Sequence, residues 1–110
     1  MEILELLSLA SNEFTGSISP GLGYKLPRLR EMHLYENKFS STIPKSLFQP
    51  VNLTAMLLYN NGFTGGLNGD LVDGAKNLVH LYLNDNNLSG NLGGFVNAKG
   101  LESLKKLRLE

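Results

Sequence analysis

Two histidines, ten carboxylates and no cysteine are the reactive inventory of this 110-residue chain. Without thiols there is no disulfide framework, no thiolate metal site and no cysteine nucleophile. His33 follows Glu31 by two residues, so on an extended strand the two side chains share a face and are placed to act as an acid–base pair. Hydrolysis needs more than that. An activated nucleophile and donors aimed at a developing oxyanion are required, and neither accompanies the pair. The segment Gly16-Ser17-Ile18-Ser19-Pro20-Gly21-Leu22-Gly23 approaches the spacing of a phosphate-binding loop, but Leu22 and Gly23 stand where that loop requires Lys and Ser or Thr. The glycines from Gly62 to Gly69 lack a dinucleotide fingerprint. Asn52-Leu53-Thr54 and Asn87-Leu88-Ser89 have the form of N-glycan acceptors, which are used only in a protein that enters a secretory pathway. Charge excludes further classes. Ten basic side chains balance the ten acidic ones, leaving no cationic excess for nucleic acid or an anionic membrane surface. No apolar run approaches the ~20 residues of a membrane span. Glu2 and Glu5 put acid where a targeting peptide carries positive charge, so the opening residues assign no compartment.

What chemistry remains is recognition, and it depends on the elements that position the side chains. Leucine occurs 23 times against seven isoleucines and valines together, and asparagine twelve times. Both excesses come from one repeat, Leu-x-x-Leu-x-Leu-x-x-Asn. Its units are Leu4, Leu7, Leu9, Asn12; Leu29, Met32, Leu34, Asn37; Leu53, Met56, Leu58, Asn61; and Leu78, Leu81, Leu83, Asn86. The asparagines fall 25, 24 and 25 residues apart, and a fifth unit opens with Leu104, Leu107 and Leu109. All sixteen positions of the four complete units are Leu, Met or Asn, which chance does not produce. Alternation such as Leu7-Ser8-Leu9 is the period-2 signal of a short strand. One such strand cannot bury its apolar side alone, but strands stacked at ~4.8 Å form a parallel sheet over a continuous core.

The asparagines lie where each coil turns off the sheet, and their carboxamides offer donors and acceptors together at that corner. A column of Asn12, Asn37, Asn61 and Asn86 is expected to satisfy the turns. Phe14, Phe39, Phe63 and Leu88 recur two places later and read as an apolar spine behind the sheet. Gly16, Gly65 and Gly90 allow the next turn, and Leu22, Leu26, Leu71 and Ala75 suggest short helical or 3₁₀ pieces closing each coil. The fold class that follows is an α/β-type solenoid, with a short-stranded parallel sheet on one face and 3₁₀, short helical or irregular segments on the other.

This pattern resembles the plant-type leucine-rich repeat, whose consensus continues after the asparagine as x-Leu-Ser-Gly-x-Ile-Pro. The corresponding stretches are Glu13-Phe14-Thr15-Gly16-Ser17-Ile18, Lys38-Phe39-Ser40-Ser41-Thr42-Ile43-Pro44, Gly62-Phe63-Thr64-Gly65-Gly66-Leu67 and Asn87-Leu88-Ser89-Gly90-Asn91-Leu92. Ser41 departs from the turn glycine, and only the second stretch keeps Ile-Pro in register. The resemblance covers essentially the whole chain, 1–110, as about four complete repeats and a partial fifth. It implies a binding module of the kind found in receptor-like kinases, receptor-like proteins and secreted inhibitors. The family's usual cysteine-bearing caps have no counterpart here, so the chain is expected to be a piece of a longer array or a truncated gene product, a repeat fragment without independent activity being one alternative, and to self-associate through its uncovered ends.

The outward positions of the sheet carry the functional information. Row by row they are Glu5, Leu6, Ser8, Ala10, Ser11; Arg30, Glu31, His33, Tyr35, Glu36; Thr54, Ala55, Leu57, Tyr59, Asn60; Val79, His80, Tyr82, Asn84, Asp85; and Lys105, Lys106, Arg108. Tyr35 and Tyr59 share a column and Tyr82 takes the adjacent one, which makes the three rings anchors for a protein or peptide ligand on this face. His33, Glu36, His80 and Asp85 are expected to set orientation around them. His33 and His80 stand two repeats apart in different columns, ~10 Å by strand spacing, too far to close on one zinc ion. No cofactor, metal, nucleic acid or membrane is called for. Thr15, Ser40, Thr64 and Ser89 could also form a hydroxyl column, the basis of an alternative reading as an ice-binding solenoid; its neighbouring file, Ser17, Thr42, Gly66 and Asn91, is mixed.

Overall fold

The computed structural model describes residues 3–67, 69–90, 104 and 106–109. Asn91, Leu92 and Lys105 of the expected repeat lie outside them. The chain winds as a succession of short strands and turns, each coil laid on the last. The first strands of the coils are β1 (Leu6–Ser8), β3 (Glu31–His33), β5 (Ala55–Leu57), β7 (His80–Tyr82) and β9 (Lys106–Arg108), and they form one parallel sheet in that order. Pairing sets Leu7 beside Met32, Met32 beside Met56, Met56 beside Leu81 and Leu81 beside Leu107. The repeat and the register therefore agree to the residue. The sheet bonds continue past the strands: the amides of Leu9, Leu34, Leu58 and Leu83 donate to the carbonyls of His33, Leu57, Tyr82 and Arg108 at 2.7–2.9 Å.

Inward side chains make the core. Leu29, Met32, Leu34, Leu53, Met56, Leu58, Leu78, Leu81 and Leu83 are all buried. Their burial is what stabilises a strand three residues long, since each fully buried side chain of this size contributes roughly 1.5–3 kcal/mol. Behind them run three 3₁₀ turns, η1 (Leu22–Lys25), η2 (Lys45–Phe48) and η3 (Gly69–Val72), at the places expected of short closing pieces. The coils meet tightly there. Gly23 is buried, its N–H donates to Ser46 Oγ at 3.1 Å, and a Cβ on it would stand 1.8 Å from the Ser46 carbonyl oxygen. The glycine that ended a near phosphate loop in the sequence is thus a point of backbone contact between η1 and η2.

A second parallel sheet joins the first, in the order β2 (Thr15–Gly16), β4 (Lys38–Thr42), β6 (Gly62–Leu67) and β8 (Asn87–Gly90). It occupies part of the side for which only 3₁₀ or irregular segments are expected. Lys38-Phe39-Ser40 shows why: an inward aromatic between two exposed polar residues is again a period-2 element. Phe14, Phe39 and Phe63 stack coil on coil, with ring centroids 6.3 and 6.1 Å apart. The spine is graded, however. Phe63 is 0% exposed and Phe39 7%, but Phe14 is 44% exposed, with a ring neighbour on one side only. Register also breaks the hydroxyl column: Thr15 pairs with Lys38, and Thr64 pairs with Thr42 and Asn87, so Thr15, Ser40, Thr64 and Ser89 do not stand in one file.

Candidate functional site

Placement of the sheet's outward side chains begins with the asparagines. The Nδ2 of Asn61 lies 2.9 Å from the Leu34 carbonyl of the coil before, 3.2 Å from Leu58 O and 3.3 Å from Tyr59 O, while its Oδ1 accepts from Phe39 N–H at 3.1 Å. Asn37 repeats this with Leu9, Leu34 and Tyr35 and accepts from Phe14 N–H. Asn86 does so with Leu58, Leu83 and Asn84 and accepts from Phe63 N–H. The expected column exists from Asn37 to Asn86, each member satisfying backbone groups of its own coil and of the coil before. Asn12 departs from it: it is exposed and donates only within its own coil, to Leu9 and Ala10 carbonyls at 3.0 Å.

Just before each asparagine the backbone turns left-handed. Ser11, Glu36, Asn60 and Asp85 have φ of 57°, 56°, 56° and 59°. This twist aims the amides of Ser11, Glu36 and Asn60 at the carbonyls of Tyr35, Tyr59 and Asn84 in the following coil, at 3.0, 3.0 and 3.1 Å. The carbonyls of Tyr35 and Tyr59 therefore each accept from a neighbouring coil's amide and from their own coil's asparagine, while that of Tyr82 accepts from Leu58 N–H. The rings stand on a backbone fixed twice, with little freedom left to lose on binding.

On that base the aromatic side chains form a continuous ridge. Tyr35 and Tyr59 stack at 4.6 Å and 6°, as one column should, and Tyr59 leans on Tyr82 at 6.2 Å. His33 lies 6.1 Å from Tyr35, and His80 meets Tyr82 edge-on at 6.3 Å. The guanidinium of Arg108 covers the Tyr82 ring at 5.0 Å, a cation–π contact across the pair that register sets side by side. The three tyrosines are half-buried, and no phenol oxygen among them makes a hydrogen bond among the described residues. Burial raises the pKa of Tyr59 above its ordinary 10.0, reinforced by Tyr35, Glu36 and Tyr82 and opposed by Arg108. Nε2 of His33 sits 3.0 Å from Glu31 Oε1, the expected pair on one face.

Five of the seven expected site residues thus come together: His33, Tyr35, Tyr59, Tyr82 and His80. Glu36 and Asp85 lie outside these ring contacts, although the Glu36 carboxylate acts on Tyr59. They stand two coils apart on the sheet's edge, at the left-handed turns, with Glu36 accepting from Ser11 Oγ at 2.6 Å and Asp85 from Asn84 Nδ2 at 2.9 Å. Three contributors were not singled out from the sequence. Arg108 completes the ridge, and its position opposite Tyr82 was readable from the repeat. Ala55 and Leu57 form a low apolar floor, since Leu57 pairs with both His33 and Tyr82, and Ala55 with both Glu31 and His80. A small side chain such as Ala55, between Glu31 and His80, signals a recess only once strand order is known. Among the described residues no group of three or more His, Asp or Glu could hold a metal ion, and the histidines are separated by the intervening β5.

Comparison with known proteins agrees with this geometry. The profile of the family described as Leucine Rich Repeat matches residues 4–24, 28–49 and 77–97, more than half of the chain. The coil between, 50–76, falls outside the matches, yet its strand β5 keeps full register. Receptor-like protein 14 of Arabidopsis thaliana is 32% identical over 87 residues, which cover 79% of this chain and 9% of that protein. Among solved structures, the Arabidopsis receptor kinase HAESA, in complex with the peptide hormone IDA and the co-receptor SERK1, superposes with a TM-score of 0.85 at 31% identity. That match covers 96% of this chain and 17% of the matched chain in that structure. The leucine-rich repeat ectodomain of the receptor kinase SOBIR1 from Arabidopsis thaliana gives 0.77 at 33% identity, over 89% of this chain and 50% of that one. The chain spans less than a tenth of the length of the curated relatives it matches by sequence.

Proposed function

The chain belongs to the leucine-rich repeat family, and from that premise we propose that it is a recognition module binding a protein or peptide across its five-stranded sheet. The observation that carries this reading is the ridge from His33 through Tyr35, Tyr59 and Tyr82 to Arg108. Amphipathic rings held on a rigid backbone, with free hydroxyls and an apolar floor at Ala55 and Leu57, have the make-up of an interface hot spot. Glu36 and Asp85 give the ridge an acidic border, and His33, His80 and Arg108 supply donors within it. HAESA, which shares the coil geometry, binds a peptide hormone and a co-receptor protein. A similar role here, as part of a receptor-like or inhibitor-like protein, is supported by the Receptor-like protein 14 likeness.

Selection of displayed random peptides on the folded chain tests the reading. Peptides recovered should lose binding to the Tyr35→Ala, Tyr59→Ala, Tyr82→Ala triple variant and keep it for Tyr24→Ala, which alters an exposed ring remote from the sheet. Recovery of peptides that prefer Tyr24 and ignore the triple variant would place recognition on the wrong face.

A further inference from the structure

The two glycan-acceptor tripeptides differ in structure in a way their sequences do not. Both acceptor hydroxyls are engaged, Thr54 Oγ1 donating to the Arg30 carbonyl at 3.1 Å and Ser89 Oγ to the Gly65 carbonyl at 3.4 Å, and both asparagines are exposed; the difference is that Asn87 lies inside β8, its backbone paired with Thr64. Asn52 lies in the turn between η2 and β5, exposed, and its carboxamide makes no hydrogen bond among the described residues. The next coil shows what this position does when it is structural. Asn77 is the equivalent residue, 25 places on, and its Nδ2 donates to the Val51 carbonyl at 2.7 Å. Asn77 is followed by Leu78 and Val79 and lacks the hydroxyl an acceptor needs; Asn52 has it in Thr54. The repeat therefore contains one asparagine tied to the fold and, one coil earlier, one released from it with an acceptor's sequence around it.

We propose that Asn52 is an N-glycan acceptor and that its edge is the sugar-bearing edge of the module. The donor is an oligosaccharide linked through its anomeric carbon to a lipid diphosphate. Asn52 Nδ2 bonds to that carbon, the carbon–oxygen bond to the diphosphate breaks, the lipid diphosphate leaves with the electron pair, and one amide proton passes to the transferase's base. The folded chain accommodates the product because the Asn52 side chain is exposed and makes no hydrogen bond among the described residues; of the tripeptide's side chains only Thr54 is held, by its Oγ1 bond to the Arg30 carbonyl. Asn52 lies in the turn before β5 and Tyr59 beyond the other end of that strand, so the sugar is attached at the opposite end of β5 from the stacked tyrosine rings. The first sugars emerge instead beside Val51, which is 66% exposed and lines, with Tyr24, Pro27 and Pro50, an apolar groove of about 220 Å³.

The full chain, secreted from a eukaryotic host behind a cleavable signal, provides the test. Its intact mass is compared before and after enzymatic removal of N-glycans, which leaves aspartate at each used site, and peptide mapping locates that aspartate. The expected result is aspartate at position 52, with its mass increment lost in Asn52→Gln and in Thr54→Ala and retained in Thr54→Ser. Microsomes programmed with the same chains replace secretion for any variant that fails to leave the cell. A chain carrying no sugar, or sugar at Asn87 alone, overturns the proposal.

Discussion

Asn61 shows how much one side chain does in this molecule. It answers Phe39 N–H and lies against carbonyls of two coils, one of them that of Tyr59. Asn61→Leu keeps the volume and strands those groups, so it should cost about 3 kcal/mol or more. Asn12→Leu, which loses contacts only within its own coil, should cost about 1 kcal/mol or less. Equal losses in thermal unfolding would show that the cross-coil bonds do not carry the difference. The asparagine column was legible because a carboxamide repeating at a corner has one evident use. The left-handed residues before it were not, because Glu36 and Ser11 have types that announce no positive φ, unlike Asn60 and Asp85. Ser41 is the converse: a serine where the repeat favours glycine, and it keeps φ of 67° beside Gly16 at 86° and Gly65 at 100°. Ser41→Gly relieves a conformation costing roughly 1–2 kcal/mol, partly offset by the greater freedom of unfolded glycine. The expected net gain is about 0.5–1 kcal/mol, read as a higher denaturant midpoint at unchanged slope.

Among elements, the sheet of β1, β3, β5, β7 and β9 and the 3₁₀ turns were legible, and the second sheet was not. The first sheet announces itself through leucines that are inward on every coil. The second depends on pairing between Phe-bearing segments whose register slips by two residues between coils, with Thr15 opposite Lys38 and Ser40 opposite Gly62. Such a shift leaves no mark in a column of aligned residues, and the same slip dissolves the hydroxyl file. The contact between η1 and η2 is invisible to composition for another reason: Gly23 matters through the atom it lacks. Gly23→Ala places a methyl group inside the Ser46 peptide and must force the two turns apart. A loss of at least ~3 kcal/mol is expected, with Gly21→Ala, where a Cβ meets nothing within 4 Å, as the comparison. If both glycines tolerate alanine equally in chemical denaturation, the coils do not pack at Gly23 as described.

The whole molecule divides its labour by surface: buried leucines hold the coils together, asparagines and left-handed turns fix the strand ends, and the tyrosines face outward on what those two systems hold still. Their columns were legible from the repeat, and the ridge they make with His33 and Arg108 required the rings' actual tilt. One consequence extends to pH. Tyr59 keeps its proton more tightly when folded, through burial and then through Tyr35, Glu36 and Tyr82. A raised folded pKa means that the folded state binds more protons than the unfolded one once pH passes 10, so the stability this residue contributes is complete below pH 10 and falls as pH rises through the folded value. Tyr59→Phe, which cannot ionise, should show a shallower alkaline decline in its unfolding midpoint; parallel curves would contradict the burial of Tyr59 within the ridge.

The most direct measurement is the dissociation constant of one display-selected peptide for the wild-type chain, Tyr59→Phe and Tyr59→Ala, with folding of each confirmed by circular dichroism. Tyr59 stands at the centre of the ridge, stacked on Tyr35 and leaning on Tyr82. Removal of its ring should weaken binding by about thirtyfold, equivalent to ~2 kcal/mol, while the phenylalanine variant stays within about threefold of wild type. A folded Tyr59→Ala chain that binds the peptide as tightly as wild type would contradict recognition on the tyrosine ridge.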